Sequence, residues 1–256
     1  MKKIVFSDLD GTLVRDSEII SSKDQSMIHD FRKKGNLFIF CTGRNIQQVQ
    51  RFSKMFEWDY MILNNGGLIL DSKGNILFHE QMDNKDIKMI IQKYLIRYPY
   101  MHCSFFDGKK SYAYQKGRCM VFEEKDYIPY DMDFMEVLKR YKLGFDTICF
   151  YNPSGSLDEV KEIQEFLEDK VKGIHGILNC HYLDVVPKNV SKGNGIQKLL
   201  SVLNDPYETY GIGDSYNDIL MFHNVDHPYT FIHAEESVKK FTAGQVRYVY
   251  ELLQNL

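Results

Sequence analysis

The chain has 256 residues, enough for one large domain or two modest ones. Its 44% hydrophobic and 26% charged residues are ordinary for a globular protein, and its net charge of -3 gives no global attraction to nucleic acid or an anionic membrane. No apolar run nears the roughly 20 residues of a membrane helix, and Asp8 and Asp10 interrupt the start Ile4-Val5-Phe6 too early for a signal peptide.

The first segment, Lys3 to Phe6, reads as a short strand. A helix follows from about Ser22 to Lys34, capped by Ser21 or Ser22 and ended by Gly35. Leu37-Phe38-Ile39-Phe40-Cys41 is almost continuously apolar, as in strands buried on both faces of a parallel sheet. A helix from about Ile46 to Phe56 and a strand at Tyr60–Leu63 continue an alternation that predicts a doubly wound α/β fold.

The pattern changes near residue 81. Helices are expected at about Asp83–Arg97, Phe134–Tyr141 and Leu157–Asp169. Strands are expected around His102–Phe106, Ser111–Gln115 and Thr147–Tyr151, with a strand pair after them. After Pro187 the α/β alternation returns, with a helix from about Ser191, a strand at Glu208–Ile212 and a helix from about Asn217. The expected architecture is a Rossmann-like parallel-sheet core of residues 1–80 and 187–256, interrupted by an α+β domain of residues 81–186.

The five cysteines, Cys41, Cys103, Cys119, Cys149 and Cys180, are odd in number and lack C-x-x-C spacing. Reduced thiols in a cytoplasmic protein are expected, not a disulfide framework or a zinc site. His102, His175 and His181 are too dispersed to suggest a metal site. The aromatics of the middle segment, among them Tyr94, Tyr98, Tyr100, Phe105, Phe106, Tyr112, Tyr114 and Phe122, read mainly as packing residues.

Four motifs carry chemistry. Asp8-Leu9-Asp10-Gly11-Thr12 directly follows the first strand and sets two carboxylates at its carboxyl end, where open α/β sheets place active sites. Thr42-Gly43-Arg44 follows a buried strand, where a hydroxyl and backbone amides cradle phosphate. Lys192, in Ser191-Lys192-Gly193, stands at a helix start that favours an anion. Gly213-Asp214-Ser215-Tyr216-Asn217-Asp218 adds two more carboxylates after a strand, as a hard-cation site requires. Taken singly, the last three also suit a helix cap, a solvated lysine and an acidic turn. Together they converge on one edge of one sheet.

In this order the motifs resemble those of the haloacid dehalogenase (HAD) superfamily, and within it the Cof-like sugar-phosphatase group with its type IIB cap. Asn64-Asn65-Gly66-Gly67 is similar to a turn of that group near the active site. The resemblance implies a nucleophile at Asp8, an acid/base at Asp10, phosphate contacts from Thr42, Gly43, Lys192 and Asn217, and Mg2+ held by Asp8, Asp10, Asp214 and Asp218. Asp10 would use its backbone carbonyl for the metal, and Asp218 would support.

The implied substrate is a small phosphorylated metabolite, with neither nucleic acid nor membrane as partner. The middle domain would act as a cap that chooses among esters. The chain departs from the group near its end. A run ending His233-Ala234 replaces the usual Asn-Ala stretch, and Gln245–Tyr250 replaces an Asn-rich loop. A phosphomutase or a non-catalytic binding protein would share this core. A glycosidase would leave Lys192 and Asp214 unused, and a dehalogenase would not need Asp10. Substrate identity and oligomeric state are not legible in the motifs.

Overall fold

The structure, a computed structural model, describes residues 1–15, 19–115, 118–122, 132–133, 136, 142–179, 181–203 and 205–256. Its elements run β1 (Lys2–Ser7), α1 (Ser22–Lys33), β2 (Leu37–Cys41), α2 (Ile46–Ser53), β3 (Tyr60–Leu63), β4 (Leu68–Asp71), β5 (Ile76–His79), α3 (Asn84–Arg97), β6 (His102–Phe106) and β7 (Ser111–Gln115). Then come β8 (Arg118–Phe122), β9 (Met132–Asp133), β10 (Thr147–Tyr151), α4 (Asp158–Lys170), β11 (Ile174–Asn179), β12 (Tyr182–Pro187), α5 (Lys192–Val202), β13 (Tyr207–Ile212), α6 (Ile219–Phe222), β14 (His227–Phe231), α7 (Glu236–Lys239), β15 (Gly244–Val246) and α8 (Val249–Gln254). The chain divides into two compact units, Met1–His79 with Val190–Leu256, and Glu80–Asn189.

The first unit is built on a sheet of order β15-β14-β13-β1-β2-β3-β4-β5. From β15 to β3 every pairing is parallel; β4 and β5 add an antiparallel edge. Alternation along the central strands sends side chains to both faces. Val5, Phe38 and Phe40 pack with Ile28 and Phe31 of α1, Val49 and Phe52 of α2 and Leu252 of α8. Ile4, Phe6, Ile39 and Cys41 face Ile196 and Leu199 of α5, with Met221, Phe222 and Val238. Two apolar faces on one strand require helices on both sides, which makes the sheet doubly wound. The strand order reverses at β1, between β13 and β2, so the crevice at its carboxyl end is the topological switch point.

In the second unit β11-β12-β10-β6-β7-β8-β9 form an antiparallel sheet. One face buries Cys103, Phe105, Ile148, Phe150, Leu183 and Val185 against Ile87, Ile90 and Ile91 of α3 and Val160, Ile163 and Leu167 of α4. Tyr94, Phe105, Phe106 and Tyr114 are buried, as packing residues should be.

Some expectations differ from what folds. Helix α2 ends at Ser53, not Phe56, because the Trp58 indole donates to the Ser53 carbonyl at 3.2 Å and closes the turn. The hairpin of β4 and β5 has no counterpart in the sequence reading; Leu68-Ile69-Leu70 and Ile76-Leu77-Phe78 are apolar runs too short for a period to distinguish them. The helix expected from Asn217 is a single 3-10 turn, Tyr216–Asp218, followed by the four-residue α6. The helix expected at Phe134–Tyr141 falls outside the described residues except for Glu136.

Candidate active site

β1 delivers the first carboxylate. The Asp8 N–H extends the parallel ladder by donating to the Ile212 carbonyl at 2.9 Å, which fixes Asp8 beside the end of β13. Gly11 then turns the chain with φ of 75°, and Val14 N–H closes the turn onto the Leu9 carbonyl at 2.7 Å. This turn presents the buried Thr12 hydroxyl, which donates to Asp214 Oδ1 at 2.9 Å.

Lys192 is the first residue of α5, capped by Ser191, whose Oγ accepts from Asn194 N–H at 3.1 Å. Its side chain is fully buried, and Nζ donates to Asp8 Oδ1 and to Asp218 Oδ1, each at 2.6 Å. The other oxygen of Asp218 accepts the N–H groups of Asp214, at 3.0 Å, and Ser215, at 3.1 Å. Asp218 thereby shapes the loop after β13 as well as holding the lysine. Asn217, nearly buried, accepts from the Ser215 hydroxyl at 2.8 Å.

Asp8, Asp214 and Asp218 each offer a carboxylate oxygen within 4.8 Å of the others. Burial pushes the Asp8 carboxyl well above its usual range; Lys192 opposes the shift, and Asp218 and Asp214 add to it. Asp214 is pushed up to about 6, first by burial and then by Asp218. Burial works against the Lys192 charge, yet Asp218 and Asp8 outweigh it and hold the ammonium above its ordinary range. Three carboxylates around one ammonium leave excess negative charge in a desolvated place. That all-oxygen donor set fits a hard divalent cation.

The Thr42–Arg44 loop follows β2. Thr42 is buried, its N–H donating to Ile62 O at 2.9 Å and its Oγ accepting from Arg44 N–H at 3.2 Å, which leaves the hydroxyl proton to donate elsewhere. The turn after β3 supports this loop. Asn65 N–H donates to Thr42 O at 3.0 Å and Asn64 N–H to Arg44 O at 3.1 Å, and both asparagines hold left-handed backbone, φ 54° and 51°. Gly66 ties the turn to α5, since a Cβ there would lie 2.2 Å from the Ser191 carbonyl oxygen. The Asn64–Gly67 turn thus braces Thr42 on one side and the start of the Lys192 helix on the other.

Asp10 stands apart from the carboxylate trio. Both its oxygens accept from Arg44, from Nε at 2.8 Å and Nη2 at 2.6 Å. Sequence reasoning quoted Arg44 within its motif and gave it no partner; it also missed the Thr12 bond to Asp214. Both contacts join segments distant in sequence, and no spacing signals them. Cys41, beside the site with Sγ 3.9 Å from the Lys192 carbonyl oxygen, has its thiol pushed far up by burial, which disfavours the reactive thiolate.

A doubly wound α/β sheet thus carries a buried lysine–carboxylate cluster at its switch point. The chain belongs to the haloacid dehalogenase-like hydrolase family, whose description matches residues 5–250, and within it to the Cof-like group of phosphoric monoester hydrolases. It is 25% identical over 263 residues to 5-amino-6-(5-phospho-D-ribitylamino)uracil phosphatase of Bacillus subtilis, covering 93% of this chain and 90% of that protein. Among solved structures, a haloacid dehalogenase-like hydrolase of B. subtilis superposes with a TM-score of 0.82 at 18% identity, over 99% of both chains. The HAD subclass IIB sugar phosphatase BT4131 does so with a TM-score of 0.74 at 18% identity, over 99% of this chain and 98% of that one. Among the described residues no helix is long and apolar enough to cross a membrane.

Proposed function

We propose that the protein is a Mg2+-dependent phosphatase of the cytoplasm that hydrolyses small phosphomonoesters, sugar phosphates or related metabolites, through an aspartyl-phosphate on Asp8. The observation that carries this reading is the Lys192 ammonium, bonded at 2.6 Å to both Asp8 and Asp218 next to Asp214. A lysine so placed orients the nucleophilic carboxylate and offers positive charge to phosphoryl oxygens.

Asp8 attacks phosphorus, and the ester oxygen leaves with a proton from Asp10. Asp10 then takes a proton from the water that cleaves the acyl-phosphate, returning Asp8. Thr42, the Gly43 N–H, Lys192 and Asn217 hold the phosphoryl oxygens. Asp8, the Asp10 carbonyl and Asp214 would hold the magnesium ion, with Asp218 supporting. When bound, the ion offsets repulsion between carboxylates and the incoming dianion.

The second unit, Glu80–Asn189, is read as the cap that chooses among esters. Phosphate release from p-nitrophenyl phosphate, with and without magnesium, is the test. Turnover should need the metal, and acid-quenched enzyme should carry phosphate on Asp8. Turnover without phosphoenzyme would overturn the mechanism.

A further inference from the structure

Two cationic side chains stand among the acidic groups described above, and they are held differently. Lys192 is enclosed, with no side-chain exposure. The Arg44 side chain is 22% exposed, and the Asp10 carboxylate it grips is 51% exposed. The guanidinium approaches Asp10 edge-on, with Nε and Nη2 on separate oxygens. Behind it, the Phe52 ring centroid lies 5.0 Å from Cζ, and Nη1 reaches the Gln48 carbonyl oxygen at 3.4 Å. The back of the guanidinium is therefore braced against α2, while its Nε–Nη2 edge holds Asp10.

Asp10 is turned toward this fork and is not one of the carboxylates gathered within 4.8 Å around Asp8. Arg44 itself belongs to the loop that carries the Thr42 hydroxyl and the Gly43 N–H. A phosphate monoester held by that loop would present two anionic oxygens, the same fork-matching geometry as a carboxylate and a higher charge. Asp10 and phosphate would compete for one guanidinium.

We propose that Arg44 is a phosphate-binding residue shared between Asp10 and the substrate. It parks the Asp10 carboxylate until a phosphate monoester takes the fork, and the exchange frees Asp10 to face the leaving oxygen. This rests on the phosphatase reading above. It adds to it a fixed order of events: the acid/base group is released only when phosphate has arrived.

The test is a double-mutant cycle read as binding of inorganic phosphate by calorimetry, in magnesium buffer, on wild type, Asp10→Asn, Arg44→Ala and the double variant. Asp10→Asn keeps the side-chain shape but weakens the grip on Arg44, so phosphate should bind about tenfold tighter, as coupled charge pairs allow. With Arg44→Ala the same Asp10→Asn change should gain no more than about twofold, because only the general loss of a negative charge remains. Equal gains in both backgrounds would overturn the proposal while leaving the phosphatase reading intact. No phosphate binding by the wild type would overturn the exchange, while release of phosphate from p-nitrophenyl phosphate decides the phosphatase reading separately. Arg44→Lys, which keeps the charge but not the fork, carries the cycle if the alanine variant does not fold. There, too, the gain should shrink, and an undiminished gain would count against the exchange.

Discussion

Gly11 and Asp214 approach so closely that a Cβ on Gly11 would lie 2.4 Å from Asp214 Oδ2. The turn after the first strand and the acidic loop after β13 are therefore packed backbone against carboxylate, with the Thr12–Asp214 bond beside the contact. The glycine also holds φ of 75°.

Gly11→Ala should act on both counts. The left-handed backbone alone costs a side chain about 1–2 kcal/mol. The methyl group must also push Asp214 aside, and a displacement of that kind can reduce turnover by about tenfold to a hundredfold. Steady-state kinetics alongside thermal melting would check this: kcat should fall far more than Tm. An unchanged kcat would show that the position of Asp214 does not matter.

Asp8→Asn should abolish turnover, by at least about a thousandfold, because an amide cannot form the acyl-phosphate. The fold should survive, since Lys192 keeps its 2.6 Å bond to Asp218. Residual activity and circular dichroism of the purified variant are the measurements.

Lys192→Ala should cost stability as well as activity. It leaves Asp8 and Asp218 buried without their shared cation, and losing one member of a buried ion pair costs about 3–5 kcal/mol. Urea unfolding monitored by fluorescence would reveal the shift in midpoint. Turnover should fall on every phosphate ester, whereas substitutions in the second unit should change the preference among esters.

Magnesium should raise Tm and EDTA should remove activity. A ligand at a hundred times its Kd stabilises by about 2.7 kcal/mol. The shift should vanish in Asp214→Ala, which removes one carboxylate of the trio. Full activity in metal-free buffer would count decisively against the proposed cofactor.

Asp226 offers a pH test outside the active site. Its carboxylate accepts from the Thr209 N–H at 2.9 Å and from the Thr209 hydroxyl at 2.8 Å, and these bonds hold its carboxyl below the usual range. A depressed carboxyl contributes stability above its unfolded pKa and loses it as pH falls through the folded value. Asp226→Asn should therefore cost about 1 kcal/mol at pH 7, kept small by solvent exposure. The difference from wild type should shrink toward zero as pH drops below about 4. Urea titrations across that range would register it.

The candidate site was legible in the sequence because Asp8, Thr42 and Asp214 sit just beyond apolar strands and Lys192 at a helix start. Asp8 follows Phe6-Ser7, Thr42 follows Phe40-Cys41, and Asp214 follows Ile212-Gly213, so local chain order puts them on one edge of the sheet. Runs such as Leu37–Cys41, apolar on both faces, likewise announced a sheet covered on both sides. Tertiary structure decided which charge meets which. Lys192 is 184 residues from Asp8 and Arg44 is 34 from Asp10, and no periodicity encodes pairings across such separations. The hairpin strands were equally silent, since apolar runs as short as Leu68–Leu70 and Ile76–Phe78 do not say by themselves that they pair with one another and with β3.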